Sequence, residues 1–68
     1  MKNYLINNKK NIRDSLIQLE KIDQKCLIVI DNQKKVVGTL TDGDIRRALL
    51  RKNNLETKIL NFIKKKQI

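Results

Sequence analysis

The 68-residue chain has no histidine, proline or tryptophan, one cysteine, one tyrosine, one phenylalanine and two glycines. Each scarcity removes a class of function. One cysteine without histidine cannot supply a zinc site. Nor can it close a disulfide within the chain, so Cys26, set in an apolar run, reads as a small buried hydrophobe in a reducing compartment. Without histidine the commonest general base is gone, and no nucleophile–base pair is visible, so catalysis within these residues is not expected. No proline-rich linker divides the chain. Tyr4 and Phe62 are too few to interleave a basic surface with stacking platforms. The longest apolar run, Cys26-Leu27-Ile28-Val29-Ile30, falls far short of the roughly 20 residues of a membrane span, and no signal peptide is recognisable. The expected location is the cytoplasm.

What is abundant is positive charge: 16 Lys and Arg against 7 Asp and Glu, a net +9. Such a surplus can mark nucleic-acid binding. Here the lysines are scattered as Lys9-Lys10, Lys34-Lys35 and Lys64-Lys65-Lys66, in a chain also rich in Asn and Ile. That bias puts lysine on any solvated face, so nucleic acid is not the expected partner. The length admits one small domain, whose core is expected to lean on a partner surface.

In chain order, Tyr4, Leu5 and Ile6 suggest a brief strand. Asn11 is a sound N-cap with Asp14 at the capping-box position, and Ile12, Leu16, Leu19 and Ile22 follow a 3.6 period, which predicts a helix to Ile22 or Asp23. Ile17 falls off that stripe. The run from Cys26 to Ile30 fits a strand buried on both faces. A turn of Asp31-Asn32-Gln33-Lys34-Lys35 leads into a second strand from Val36 to Thr41, so the two form a hairpin. A third helix is expected from Thr57, with Ile59, Phe62 and Ile63 as its apolar side and Lys64-Lys65-Lys66 at its end.

The stretch over residues 38–50 carries the chemistry. Thr41 looks like a helix N-cap with Asp44 three residues on, and Gly43 between them lets a backbone or ligand come close. Ile45, Ala48 and Leu49 give the helix an apolar face, which Arg46, Arg47, Leu50 and Arg51 lie off. A hydroxyl, two carboxylates and guanidinium groups meet free backbone N–H groups at one strand-to-helix junction. Such a junction suits a nucleotide. Asp42 beside Asp44 is weak as a metal site, since two carboxylates lack further ligands.

The order β-α-β-β-α, with Gly38-Thr39-Leu40-Thr41-Asp42-Gly43-Asp44-Ile45-Arg46-Arg47 running from a strand into the second helix, resembles the cystathionine-β-synthase-type (CBS) motif over residues 4–52. The string Thr-Asp-Gly-Asp-Ile-Arg-Arg is most similar to the N-terminal CBS pair of bacterial sugar-phosphate nucleotidylyltransferases. The resemblance implies an α/β fold with a small three-stranded sheet covered by helices. Residues 53–68 would be a linker helix leading to a missing second motif, so that the chain is half of a pair. It implies a regulatory role and an adenine-nucleotide ligand of AMP or ATP type. Thr41 and Asp44 would hold ribose and the phosphate side, Arg47 or Arg46 would face phosphate, and backbone groups near Leu5 and Ile6 would edge the base pocket. The loop Asn7-Asn8-Lys9-Lys10-Asn11 departs from the family in lacking a proline and a Ser or Thr. Ile17 and Leu50 would contribute to a contact face with the second motif or a second copy. The alternative is a dimerisation module with an empty cleft.

Overall fold

Period-two alternation builds a sheet, and period-3.6 stripes lay helices on one side of it. The computed structural model describes residues 4–22 and 25–63. Three strands, β1 (Leu5–Asn7), β2 (Cys26–Ile30) and β3 (Val36–Thr41), form one mixed sheet in the order β1-β2-β3. The helix α1 (Ile12–Lys21) returns the chain so that β1 and β2 run parallel, whereas a tight turn makes β2 and β3 antiparallel. Asp31 organises that turn: its carboxylate accepts from the N–H groups of Gln33 at 2.8 Å and Lys35 at 3.0 Å. Lys34 takes the left-handed conformation there, with φ of 64°.

Asn11 caps α1, its side chain accepting from the N–H of Asp14 at 2.9 Å. Ile12 is fully buried, and Leu16, Leu19 and Ile22 pack half-buried against the same core. Ser15 is buried among them at no polar cost, because its hydroxyl donates to the carbonyl of Ile12 at 2.7 Å. The second helix, α2 (Asp42–Leu50), buries Ile45 and Ala48. Leu49, expected on that face, is 38% exposed. The Ile45–Ala48 side of the helix is the side that meets the core, so Leu49 sits at its margin. α2 ends in a left-handed Lys52 with φ of 71°, and the N–H of Asn53 reaches back to the carbonyl of Ala48 at 3.2 Å. This closure satisfies a terminal carbonyl as a Schellman motif does.

The run of β2 is not buried on both faces. Leu27 and Val29 are fully buried against the helices, while Cys26, Ile28 and Ile30 are half-buried on the other side. Register sets Leu5, Ile28 and Thr39 in one row and Cys26 beside Thr41 in the next. A continuous apolar run thus gives the sheet one closed face and one partly open apolar face.

The segment after α2 differs most from expectation. No α-helix starts at Thr57; a single 3-10 turn occupies Ile59–Asn61. The backbone before it is committed elsewhere. The N–H groups of Ile12 and Arg13 donate to the carbonyls of Thr57 and Leu55, both at 3.0 Å, and the N–H of Ile59 donates to Lys10 at 2.8 Å. These bonds satisfy two of the orphan donors at the start of α1, and a helix from Thr57 would turn the Thr57 carbonyl to its own i+4 N–H and away from Ile12. Ile59 is fully buried in the core, with Phe62 and Ile63 packed at its edge. Glu56 ties the segment down through Asn11 and Arg13, an exposed contact of small energetic weight. Asp23, Lys64, Lys65, Lys66 and Ile68 lie outside the described residues. Among the described residues no helix is long and apolar enough to cross a membrane.

Replacing Ile59 by Ala is expected to cost about 2–5 kcal/mol of unfolding free energy. Leu50→Ala, at a side chain 79% exposed, should change it by less than about 0.5 kcal/mol. Urea denaturation of the two variants against the wild type measures both.

Candidate functional site

The junction of β3 and α2 is built by reciprocal capping. The hydroxyl oxygen of Thr41 accepts from the N–H of Asp44 at 3.0 Å, and the carboxylate of Asp44 accepts from the N–H of Thr41 at 3.0 Å. This is a complete capping box, with Thr41 in extended backbone at the N-cap. The guanidinium of Arg47 then donates to the second oxygen of Asp44 at 2.7 Å. It folds back over the first turn, so that a Cβ at Gly43 would sit 3.4 Å from one of its nitrogens and 3.7 Å from the Thr41 hydroxyl oxygen. Gly43 has an ordinary negative φ, so here it leaves room rather than permitting an unusual turn.

Each of these groups keeps chemistry in reserve. A carboxylate offers about four acceptor sites, and the contacts from Thr41 and Arg47 occupy one on each oxygen of Asp44. The Thr41 hydroxyl accepts from the N–H of Asp44 and carries one rotatable proton, which can turn to the Asp44 carboxylate or to a ligand oxygen. Arg47 uses one of its five N–H donors on Asp44 and is 59% exposed. Acceptor, hydroxyl donor and cationic fork are thus held in fixed mutual geometry, suited to vicinal hydroxyls and an adjoining phosphate. Burial pushes the Asp44 carboxyl up, but the backbone N–H and hydroxyl of Thr41 and the guanidinium of Arg47 outweigh it, leaving the group below its ordinary value of 3.8.

Thr41, Asp44 and Arg47 therefore come together. Arg46 turns to Asp42, donating at 2.6 Å across one turn of α2. Asp42 and Asp44 each have an arginine partner, and no cluster of three potential metal ligands occurs among the described residues. Leu5 and Ile6 stand on β1, separated from β3 by β2, on the order of 10 Å across the sheet. Ile6 points into the core, and the carbonyl of Leu5 accepts from the side chain of Gln18 at 2.7 Å. Only Leu5 shares the partly open face of the sheet with Thr41. Ile17 and Leu50 are 48% and 79% exposed.

An open groove of about 260 Å³ begins at Asp44 and is lined by Arg47, Ala48, Arg51, Asn53 and Phe62. Four of these had no place among the sequence-based site candidates: Ala48, Arg51, Asn53 and Phe62. Helical spacing could have flagged Arg51, which lies seven residues beyond Asp44 and four beyond Arg47. No spacing argument reaches Asn53 and Phe62, which arrive with the returning C-terminal segment.

No family model matches the chain. By sequence it is similar to an uncharacterized protein of Helicobacter pylori strain J99, 34% identical over 58 residues that make up 85% of this chain and 18% of that protein. Among solved structures it is similar to a CBS-domain containing protein from Agrobacterium tumefaciens, with a TM-score of 0.83 and 17% identity over 94% of this chain and 49% of the other. A CBS domain protein from Pyrobaculum aerophilum complexed with AMP gives 0.79 at 17% identity, covering 90% of this chain and 48% of that one. CbpB in complex with c-di-AMP gives 0.80 at 21%, covering 91% and 45%. The chain thus spans about half the length of these structures and under a fifth of its curated relative. What the structural likeness carries is the fold, a single CBS motif of order β-α-β-β-α on a three-stranded mixed sheet.

A carboxyl whose folded value is depressed stabilises the fold fully above its unfolded value, and the contribution is lost as pH falls through the folded value. Asp44→Asn is therefore expected to lower stability at neutral pH and to make the acid limb below about pH 5 shallower. Asp31, lowered chiefly by the backbone N–H of Lys35, titrates in the same direction. Denaturation midpoints of wild type, Asp44→Asn and Asp31→Asn across that range read the two contributions separately.

Proposed function

We propose that this motif is one half of a regulatory nucleotide-binding pair, with the ribose and phosphate of an adenine nucleotide held at the Thr41–Asp44–Arg47 junction. The observation that carries the reading is the pre-set geometry of those three groups, each with unused hydrogen-bonding capacity. Asp44 would accept from the two ribose hydroxyls, Thr41 would donate to a phosphate oxygen, and Arg47 would add a charge-assisted fork. The fold neighbours that hold AMP and c-di-AMP support an adenine-bearing ligand. In this reading Leu5 edges the base pocket from the open face of the sheet, and Arg46 stands outside the contact set.

The partner in this proposal is a second unit of the same kind. The half-buried row of Leu5, Cys26, Ile28 and Ile30 offers an apolar face for it. The string from Thr41 to Arg47 is what supports a place at the N-terminus of a sugar-phosphate nucleotidyltransferase, whose activity the module would bias according to nucleotide occupancy. The module itself would contribute no catalytic group.

Titration calorimetry of the intact protein with AMP and ATP tests the ligand. Saturable binding is expected, weakened about tenfold or more by Asp44→Ala, as loss of a charged hydrogen bond of about 1.5–3 kcal/mol requires. Absence of heat with both nucleotides, or affinity untouched by Asp44→Ala, overturns the reading.

A second reading is favoured by the exposure of Ile17 and Leu50: the helix faces join two copies, with or without a nucleotide. Sedimentation of the intact protein should then show a dimer that Leu50→Asp dissociates. A dimer that survives the substitution removes the helix-face contact.

A further inference from the structure

The groove that starts at Asp44 does not stop at Arg47. It continues along α2 to Arg51, and Asn53 and Phe62 of the returning segment also line it. Asp44, Arg47 and Arg51 follow each other at intervals of three and four residues, so they line one helix face over about 10 Å of axial rise. Arg47 is committed to Asp44 in a bond of 2.7 Å. Among the described residues, the Arg51 side chain has no hydrogen bond or ion pair. The lining thus contains two guanidinium groups against one carboxylate. The amide of Asn53 is itself held in place, donating from its nitrogen to the carbonyl of Ala48 at 2.7 Å. The second N–H of that amide remains to donate, and Phe62 adds an apolar side chain to the lining.

We propose that this groove is a polyphosphate channel, in which Arg51 binds the phosphates beyond the first, so that the module prefers nucleoside di- and triphosphates to the monophosphate. The assignment rests on the ribose position proposed above. With ribose at Asp44, a single phosphate lies within reach of Arg47, one turn along the helix. Arg51 lies a further turn away, and only a longer phosphate chain spans that distance. Successive guanidinium groups on one face of a helix match the repeating charge of a phosphoanhydride chain, each able to bind two oxygens at once. A carboxylate or a lone phosphate would engage one of them and leave the other solvated.

The test is calorimetry of AMP, ADP and ATP with the intact protein and its Arg51→Gln variant. Expected is tighter binding of ATP than AMP by about tenfold, the scale of one charge-assisted pair. Arg51→Gln should abolish that preference and leave AMP affinity unchanged. Equal losses for AMP and ATP, or no change for either, overturn the channel while the ribose site stands. A second arm is independent of nucleoside recognition. Inorganic tripolyphosphate at low salt should shift the NMR signals of the Asn53 side-chain amide and the Arg51 Nε in the wild type, and the Asn53 signal should stay put in Arg51→Gln. If no nucleotide binds but tripolyphosphate does so in this way, the nucleotide reading fails and the anion groove survives. If tripolyphosphate leaves Asn53 unmoved in the wild type, the channel is wrong.

Discussion

The reciprocal bond between Thr41 and Asp44 is the constraint from which the rest of the site descends. β3 ends and α2 begins at one residue, so the direction of the helix relative to the sheet is set there by two hydrogen bonds of 3.0 Å. Once the direction is set, Ile45 and Ala48 fall against Leu27, Val29 and Leu40, and the core closes. The same two bonds orient the Asp44 carboxylate toward Arg47. Stability and the proposed recognition would thus draw on one pair of side chains. The bonds consume only part of what a hydroxyl and a carboxylate can offer. That remainder makes a structural cap usable as a ligand seat.

The second constraint comes from the opposite end of the chain. A helix of ten residues cannot satisfy its own first N–H groups. Here the carbonyls of Leu55 and Thr57 complete the work that the Asn11 cap starts. The segment that does so also delivers Ile59 to the core and Asn53 and Phe62 to the groove beside α2. Residues that read as a connection to something further on are thereby part of this unit's own packing. A domain this small gains much from such a return, since every buried side chain is a large share of its core.

The open face of the sheet is the counterpart of these closures. Among the described residues helices cover one side of the sheet, and the run over β2 was apolar enough for two. An apolar strand with one side half-buried leaves apolar surface that a second layer could cover. It agrees with the proposed pairing of two such units, because the rows of Leu5, Ile28 and Thr39 and of Cys26 and Thr41 on that face lead to the Thr41–Asp44 junction.

Much of this was legible in the residues themselves. Local rules act within one turn or one hairpin, so the caps at Asn11 and Thr41, the stripes of both helices and the hairpin at Asp31 could be read before any coordinates. The Thr41–Asp44 pair belonged to that class, and the resemblance built on it led to the right fold. What lay beyond reach depends on contacts between residues distant along the chain. The one-sided burial of β2 is decided by how many layers assemble on the sheet, and the marginal place of Leu49 by which side of α2 meets the core. The extended course before Ile59 is decided by unsatisfied donors some forty-five residues earlier, at Ile12 and Arg13. Helix periodicity could write the apolar stripe of a third helix, but only tertiary hydrogen bonding determined that the backbone there would serve α1 instead.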